Sequence, residues 1–292
     1  MSSDNGVTPE EAFSALGSEL RLEILHVLAE ATEAGDRELS FSEIYDAVDV
    51  DSTSQLSYHL DTLTGIFVRD VENGYALTQA GDRVVRAVHS GTYSDRPSFE
   101  PTTIEGTCPY CDATVLSAEY RDPFLVVECR SCSGRIVTYD LPPAQSRGRT
   151  SIETLHSCNR RVHQEYATAL EGTCSTCGGT TDRSIEQSER ANSYICAATC
   201  QRCRLRLFAP LEVRLLHHPA VISFYWRWGI DASTLPLWDL PSYVDNWEVD
   251  AVETDPYEFR VTIVHDGESL RVRVDDELHV DVSDDPCSGS TE

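Results

Sequence analysis

The stretch STSQLSYHLDTLTG, residues 52–65, decides how the first third of the chain folds. Leu56, Leu60 and Leu63 recur at i, i+4 and i+7, the spacing that lines one stripe of a helix. Asp51 or Ser52 precedes the stripe as an N-cap, and Gly65 ends it. With the leucines inward, a step of about 100° per residue turns Ser54, Gln55, Tyr58, Asp61 and Thr62 outward and puts His59 on the flank. That outward face holds neither Lys nor Arg.

Working outward, EAFSAL forms a first helix. Ser18 then caps ELRLEILHVLAEATE, in which Leu20, Ile24, Val27, Leu28 and Ala31 share one face and Leu22 and Leu25 another. FSEIYDAV is a third helix, capped by Ser40 or Ser42, with Ile44 and Val48 inward. Past Gly65, IFVRDV and YALT alternate like strands around Glu72-Asn73-Gly74, and Asn-Gly between short strands is a strong hairpin signal. Thr78 caps a closing helix, QAGDRVVRAVH. Three helices, a recognition helix, a hairpin and a closing helix make the order of a winged helix-turn-helix. Gln matches adenine edges, Ser and Thr meet several bases, and Tyr reaches phosphate. Thr53, Ser54, Gln55, Ser57 and Tyr58 are therefore candidate contacts to double-stranded DNA, with Arg69 in the wing strand and Asn73 at its tip as phosphate contacts.

LGSELRLEILHVL, QLSYHLDTLTGIFVRD and GYALTQAG together resemble ArsR-type regulators as they occur in haloarchaea, over roughly residues 8–90. The resemblance implies a dimeric transcription regulator whose recognition helix enters the major groove and whose wing meets the backbone. The Cys pairs that metal-sensing members carry in their second or recognition helix are missing, so metal sensing by that route is not supported.

Charge bears directly on that expectation. The 292 residues hold 49 Asp+Glu against 23 basic residues, every one of them Arg, for a net charge of −26. Residues 1–95 alone carry five Arg against 18 carboxylates. One reading is an acidic protein that avoids nucleic acid. The other is adaptation to molar salt, where carboxylates hold a hydrated surface and the Debye length shrinks to about 3 Å. The total lack of Lys favours the second, because ordinary acidic proteins use Lys freely. In molar salt, phosphate neutralisation contributes little for any binder, and hydrogen bonds, apolar contact and dimer geometry carry more of the affinity.

MSSDNGVTPEEAF lacks the basic and apolar regions of a signal peptide, and no run approaches 18 apolar residues. A cytoplasmic protein is expected.

Eleven Cys all lie beyond residue 100. EGTCPYCDATV followed by CRSC places Cys108, Cys111, Cys129 and Cys132 as two CxxC knuckles, the signature of a four-thiolate zinc ribbon. The chain then repeats itself, EGTCSTCGGTT (171–181) matching EGTCPYCDATV (105–115). Aligning FLVVECRSCSGRIVTYDLP with YICAATCQRCRLRLFAPLE pairs Cys129 with Cys200 and Cys132 with Cys203. Cys174, Cys177, Cys200 and Cys203 thus form the second site, and Cys196 falls opposite Leu125 as a packed thiol, with its replacement of Cys200 the open alternative. Thiolates filling all four positions leave no place for a bound water, so both zinc ions are expected to be structural. Between the copies, SIETLHSCNRRVHQEYATAL reads as a helix on which His156, Cys158 and His163 belong to a polar surface, with a further metal site there as the open alternative.

HHPAVISFYWRWG fits a helix from Pro219 whose Phe224, Trp226 and Trp228 form a local core. WEVDAVET, YEFRVTIVH, SLRVRVD and ELHVDV then read as a small antiparallel sheet, with a turn at Asp266-Gly267. The ribbons joined to HPAVISFYWRWGID and PLWDLP also resemble the C-terminal domain of uncharacterised haloarchaeal helix-turn-helix proteins.

The expected fold is α+β. A winged helix-turn-helix spans 8–90 and a linker 91–103. Zinc ribbons occupy 104–142 and 171–212, joined by a helix over 150–170. A helix with antiparallel strands fills 213–283, and a disordered tail 284–292. The leading expectation is a homodimeric, DNA-binding transcription regulator. The alternative is a protein-interaction module of the transcription machinery. No Gly-rich phosphate loop, nucleophile elbow or open metal position suggests an enzyme.

Overall fold

The computed structural model describes residues 6–35, 38–188 and 193–283; the tail 284–292 and Cys287 lie outside them. The chain is mixed α+β and divides into two units, Met1–Arg96 with Pro142–Ala144, and Pro97–Leu141 with Gln145–Glu292.

The first unit starts with α1 (Pro9–Leu16), closed at its N-terminus by a reciprocal bond pair between Thr8 and Glu11. α2 (Glu19–Ala34) follows. Ser18 occupies its N-cap with extended backbone but gives no side-chain bond, contrary to the expected cap. Left-handed Gly35 ends α2. Ser40, not Ser42, caps α3 (Phe41–Ala47), paired with Glu43. Ser52, not Asp51, caps α4 (Thr53–Leu63), whose Leu56, Leu60 and Leu63 are fully buried.

A two-residue turn, Glu72-Asn73, joins β1 (Val68–Val71) to β2 (Gly74–Leu77), because Val71 already pairs with Gly74. α5 (Gln79–His89), capped by Thr78, packs on α2. Ile24, Leu25, Leu28, Ile44 and Val85 join the α4 leucines in one core. The hairpin gains a third, single-residue strand at Leu39, which exchanges backbone bonds with Tyr75.

The second unit contains two copies of a Cys module. The first has β3 (Thr102–Ile104), β4 (Leu116–Arg121), β5 (Phe124–Cys129) and β6 (Arg135–Asp140) in one antiparallel sheet of that order. A short turn of helix, α6 (Pro143–Ser146), whose first two residues count with the first unit, precedes α7 (Ser151–Leu170), which Thr150 and Glu153 cap reciprocally. The second copy has β7 (Thr181–Ser188), β8 (Ser193–Cys200) and β9 (Arg206–Pro210), antiparallel in that order. β3 has no counterpart there.

After β9 come α8 (Leu211–Leu216), α9 (Pro219–Trp226) and two 3-10 turns, Ala232–Thr234 and Leu237–Asp239, then α10 (Pro241–Val244). β10 (Glu248–Thr254), β11 (Tyr257–His265), β12 (Glu268–Asp275) and β13 (Val280–Val282) close the unit as a meander.

α7 serves two cores. Its Leu155 and Cys158 pack with Leu116, Leu125, Tyr139 and Trp238 around the first module. Its Tyr166, Ala169 and Leu170 pack with β8, α8, α9 and the meander's Phe259, Val261, Ile263, Val272 and Val274. The partner of the C-terminal sheet, which the sequence left open, is thus the second Cys module together with α8 and α9. Phe224 is core and Trp228 half-buried, but Trp226 is 63% exposed, so the expected aromatic core lacks it.

The middle of α7 is polar and buried: Cys158 and His163 leave the expected polar surface, while His156 stays exposed. Asn159 accepts from Tyr139 (3.2 Å) and the Leu237 amide (3.0 Å) and donates to the carbonyls of Thr234 (3.3 Å) and Leu235 (3.1 Å). One turn on, His163 Nε2 lies 2.8 Å from the Leu235 carbonyl and its Nδ1 lies 3.0 Å from His217 Nε2. A carbonyl only accepts, so His163 carries its proton on Nε2 and His217 donates to Nδ1. All four bonding positions of the Asn159 amide are used, which offsets the cost of burying it.

Candidate functional site

Each Cys module folds its thiols the same way. After the second Cys of every knuckle the backbone turns left-handed, at Asp112 (φ 56°), Ser133 (φ 58°), Gly178 (φ 72°) and Arg204 (φ 64°). That reversal brings backbone N–H groups onto the first sulfur of three of the knuckles. Tyr110 N lies 3.4 Å from Cys108 Sγ, Ser131 N 3.4 Å from Cys129 Sγ, and Arg202 N 3.4 Å from Cys200 Sγ. Such donors favour thiolate. The Cys132 amide first, and others with it, pull Cys129 down to about 7, and the Cys203 amide does the same for Cys200, to about 6.

Cys108, Cys111, Cys129 and Cys132 converge with all four sulfurs within 4.8 Å of one another, and so do Cys174, Cys177, Cys200 and Cys203. The shortest separations are 3.7 Å for both Cys108–Cys132 and Cys111–Cys129, 3.6 Å for Cys174–Cys203 and 3.5 Å for Cys177–Cys200. Four thiolates set tetrahedrally about 2.3 Å from a central ion stand roughly 3.8 Å apart, whereas a disulfide needs about 2.05 Å. The donor sets therefore suit two metal ions and no disulfide. In each set two sulfurs are buried and two face solvent. Cys196 lies outside the cluster, opposite Ile185 and Ala209 in the second core, where burial pushes its thiol up to about 12.

α4 presents a different kind of surface. Thr53, Ser54 and Ser57 are exposed, and Tyr58 is 64% exposed. With Phe41 of α3 and Asp61 they line an open groove of about 530 Å³. Phe41 was not among the expected site residues, because its aromatic ring reads as core in the sequence. Gln55 departs from the expected outward pose: it is half-buried, and its Oε1 accepts from the Asp51 amide at 3.3 Å, bracing the helix start. Thr62 is half-buried and donates to the Tyr58 carbonyl one turn back on the same helix (2.8 Å). Burial first, and then Arg21, holds His59 below its ordinary value.

On the hairpin, Arg69 is exposed and its Nε donates to the Leu77 carbonyl at 3.4 Å. Asn73 at the tip donates to Glu38 at 2.8 Å, so its amide braces the hairpin against the chain before α3. Among the described residues, no helix is long and apolar enough to cross a membrane.

Residues 105–280 match the model of a family described as domain of unknown function DUF7351, and residues 9–88 that of one described as domain of unknown function DUF7347. No curated protein and no solved structure matches the chain.

Proposed function

The chain belongs to the DUF7351 family, a membership that brings no activity with it, and we propose from its own surfaces that it is a DNA-binding transcription regulator. The order α1 to α5 with the hairpin before α5 reads as a winged helix-turn-helix, with α4 the recognition helix and β1–β2 the wing. The observation that carries the reading is the two-sidedness of α4. Leu56, Leu60 and Leu63 anchor it at 0% exposure, while Ser54, Ser57 and Tyr58 stand on its open side. A rigid helix offering short hydroxyls and one aromatic hydroxyl suits a groove edge, with Arg69 placed for a phosphate.

In this reading both Cys sets hold zinc. Thiolates fill all four positions, so the ion supplies folding energy to small modules and no open site for chemistry. A homodimer would present two α4 helices to two half-sites.

The test is binding of DNA from upstream of its own gene in multimolar KCl, measured by fluorescence anisotropy. Wild type should prefer that DNA over a shuffled duplex, and Ser54→Ala with Tyr58→Ala should abolish the preference. Equal binding of both duplexes by wild type would sink the proposal.

Asp61 gives a second reading some weight, because it puts a carboxylate on the open face of α4, where no cation lines the groove among the described residues. That face would then dock on a protein of the transcription machinery, and the same measurement decides between them.

A further inference from the structure

The two Cys modules are copies, yet their metal-binding tips differ in charge. The second tip comprises residues 172–181 and 199–208, the aligned first tip residues 106–115 and 128–137. Carboxylates make up 49 of the chain's 292 residues, yet none of the 20 residues of the second tip is one. It carries Arg202, Arg204 and Arg206, all exposed. In the first tip, Asp112 and Glu128 offset Arg130 and Arg135. A divalent ion with four thiolates adds the same negative charge to both. The second tip therefore stays positive where the first is negative.

The guanidiniums of the second tip differ among themselves. Arg206 pairs with Glu186 on β7 at 3.1 Å. Among the described residues the side chains of Arg202 and Arg204 make no ion pair or hydrogen bond; the first tip's Arg130 makes none either, but it shares its tip with the carboxylates of Asp112 and Glu128. Of the carboxylates that border residues 172–181, Glu171 pairs with Arg214 at 3.3 Å and Asp182 accepts from the Gln201 amide at 2.7 Å. Arg202 and Arg204 sit in a rigid frame, since Arg202 lies within the knuckle loop and Arg204 is its left-handed residue. The Arg202 stem packs over Gly179 of the facing knuckle, where a Cβ would meet its Cγ at 3.0 Å.

An otherwise acidic chain thus has no carboxylate in this exposed Cys tip and keeps there two guanidiniums that are unpaired among the described residues. We infer that the tip of the second Cys module is a docking point for the phosphate backbone of duplex DNA, with Arg202 and Arg204 as the contacting residues. Guanidinium forks pair phosphate oxygens bidentately and are less strongly hydrated than ammonium groups, which keeps them effective in concentrated salt. Backbone contacts position a protein without reading sequence. The inference rests on the proposal that the chain meets DNA, but not on α4 as the reading element.

The experiment uses full-length protein, a duplex of mixed sequence and anisotropy over a range of KCl concentrations. Arg202→Ser/Arg204→Ser should weaken binding and flatten the slope of log K against log[KCl] by about two, roughly one unit for each phosphate left unneutralised. Arg130→Ser in the first tip should leave affinity and slope unchanged, and both variants should keep their metal content. The double variant should also keep wild-type preference for the upstream DNA over a shuffled duplex, because a backbone contact carries no sequence information. Wild-type slope and affinity in the double variant, or an equal loss in Arg130→Ser, would overturn the inference. If Ser54→Ala/Tyr58→Ala loses its preference while the double variant binds as wild type, the regulator reading stands and this inference alone fails.

Discussion

Leu39 and Tyr75 exchange both of their backbone hydrogen bonds, Leu39 N to Tyr75 O at 3.0 Å and Tyr75 N to Leu39 O at 2.8 Å. This one-residue strand fixes the hairpin to the chain leading into α3, and it brings the Leu39 carbonyl directly over Gly74. A Cβ at position 74 would collide with that carbonyl. Gly74→Ala should therefore cost about 1–3 kcal/mol in denaturant unfolding, by forcing the backbone off Leu39. It should also speed amide exchange at Leu39 and Tyr75. Unchanged exchange would show the bridge to be dispensable.

The two sides of α4 should separate stability from binding. Leu56→Ala, at a fully buried site, should destabilise the first unit by about 2–5 kcal/mol. Tyr58→Ala, on the open side, should shift stability by no more than about 0.5 kcal/mol while reducing DNA affinity. Urea titrations with anisotropy on the same samples check both.

That division was legible from the sequence, since a leucine stripe at helical spacing fixes which side of α4 is buried. The CxxC spacing and the repeated Glu-Gly-Thr-Cys likewise pointed to both thiol clusters, because metal geometry demands those spacings. Pairings set by tertiary contact were not legible. Gln55 and Thr62 have outward positions on a helical wheel, yet each finds a backbone partner within one turn. His163 looks like a surface residue because its partners, His217 and the Leu235 carbonyl, lie 54 and 72 positions away. A single bridging residue such as Leu39 has no periodicity to detect.

Elemental analysis should find two metal ions per chain. Cys200→Ser should lower that to one, and Cys196→Ala should retain two, since Cys196 sits in the second core rather than in the cluster. Removing metal with a chelator should unfold both Cys modules by circular dichroism. A loss of metal in Cys196→Ala equal to that in Cys200→Ser would contradict the assignment.

Asn159→Ala should cost about 3 kcal/mol, because it strands the Tyr139 hydroxyl and the Leu237 amide in a dry interior. Metal content should be unchanged, which would separate this loss from a failure of the Cys clusters.

The buried imidazole pair makes stability depend on pH. In the unfolded chain both titrate near 6.5. In the folded chain burial lowers both, and His217 falls to about 4, with His163 and Arg214 contributing. The unfolded state binds more protons between pH 4 and 6.5, so stability is full above this window and is lost as pH falls through it. His217 contributes up to about 3 kcal/mol of that loss. His217→Gln, which keeps a donor for His163, should flatten the dependence. An unchanged slope would place the acid sensitivity elsewhere.

The first Cys module is closed from far along the chain. Trp238 fills its core, and the Asp239 carboxylate accepts from the Thr107 amide, 132 positions earlier, at 2.8 Å. During synthesis the four thiols of that module emerge long before their cover does. A nascent chain can therefore capture its first metal ion well before it can bury the surrounding apolar surface. Closing so long a loop is slow, so the interval between loading and closure sets how long that surface stays open to aggregation or to a chaperone.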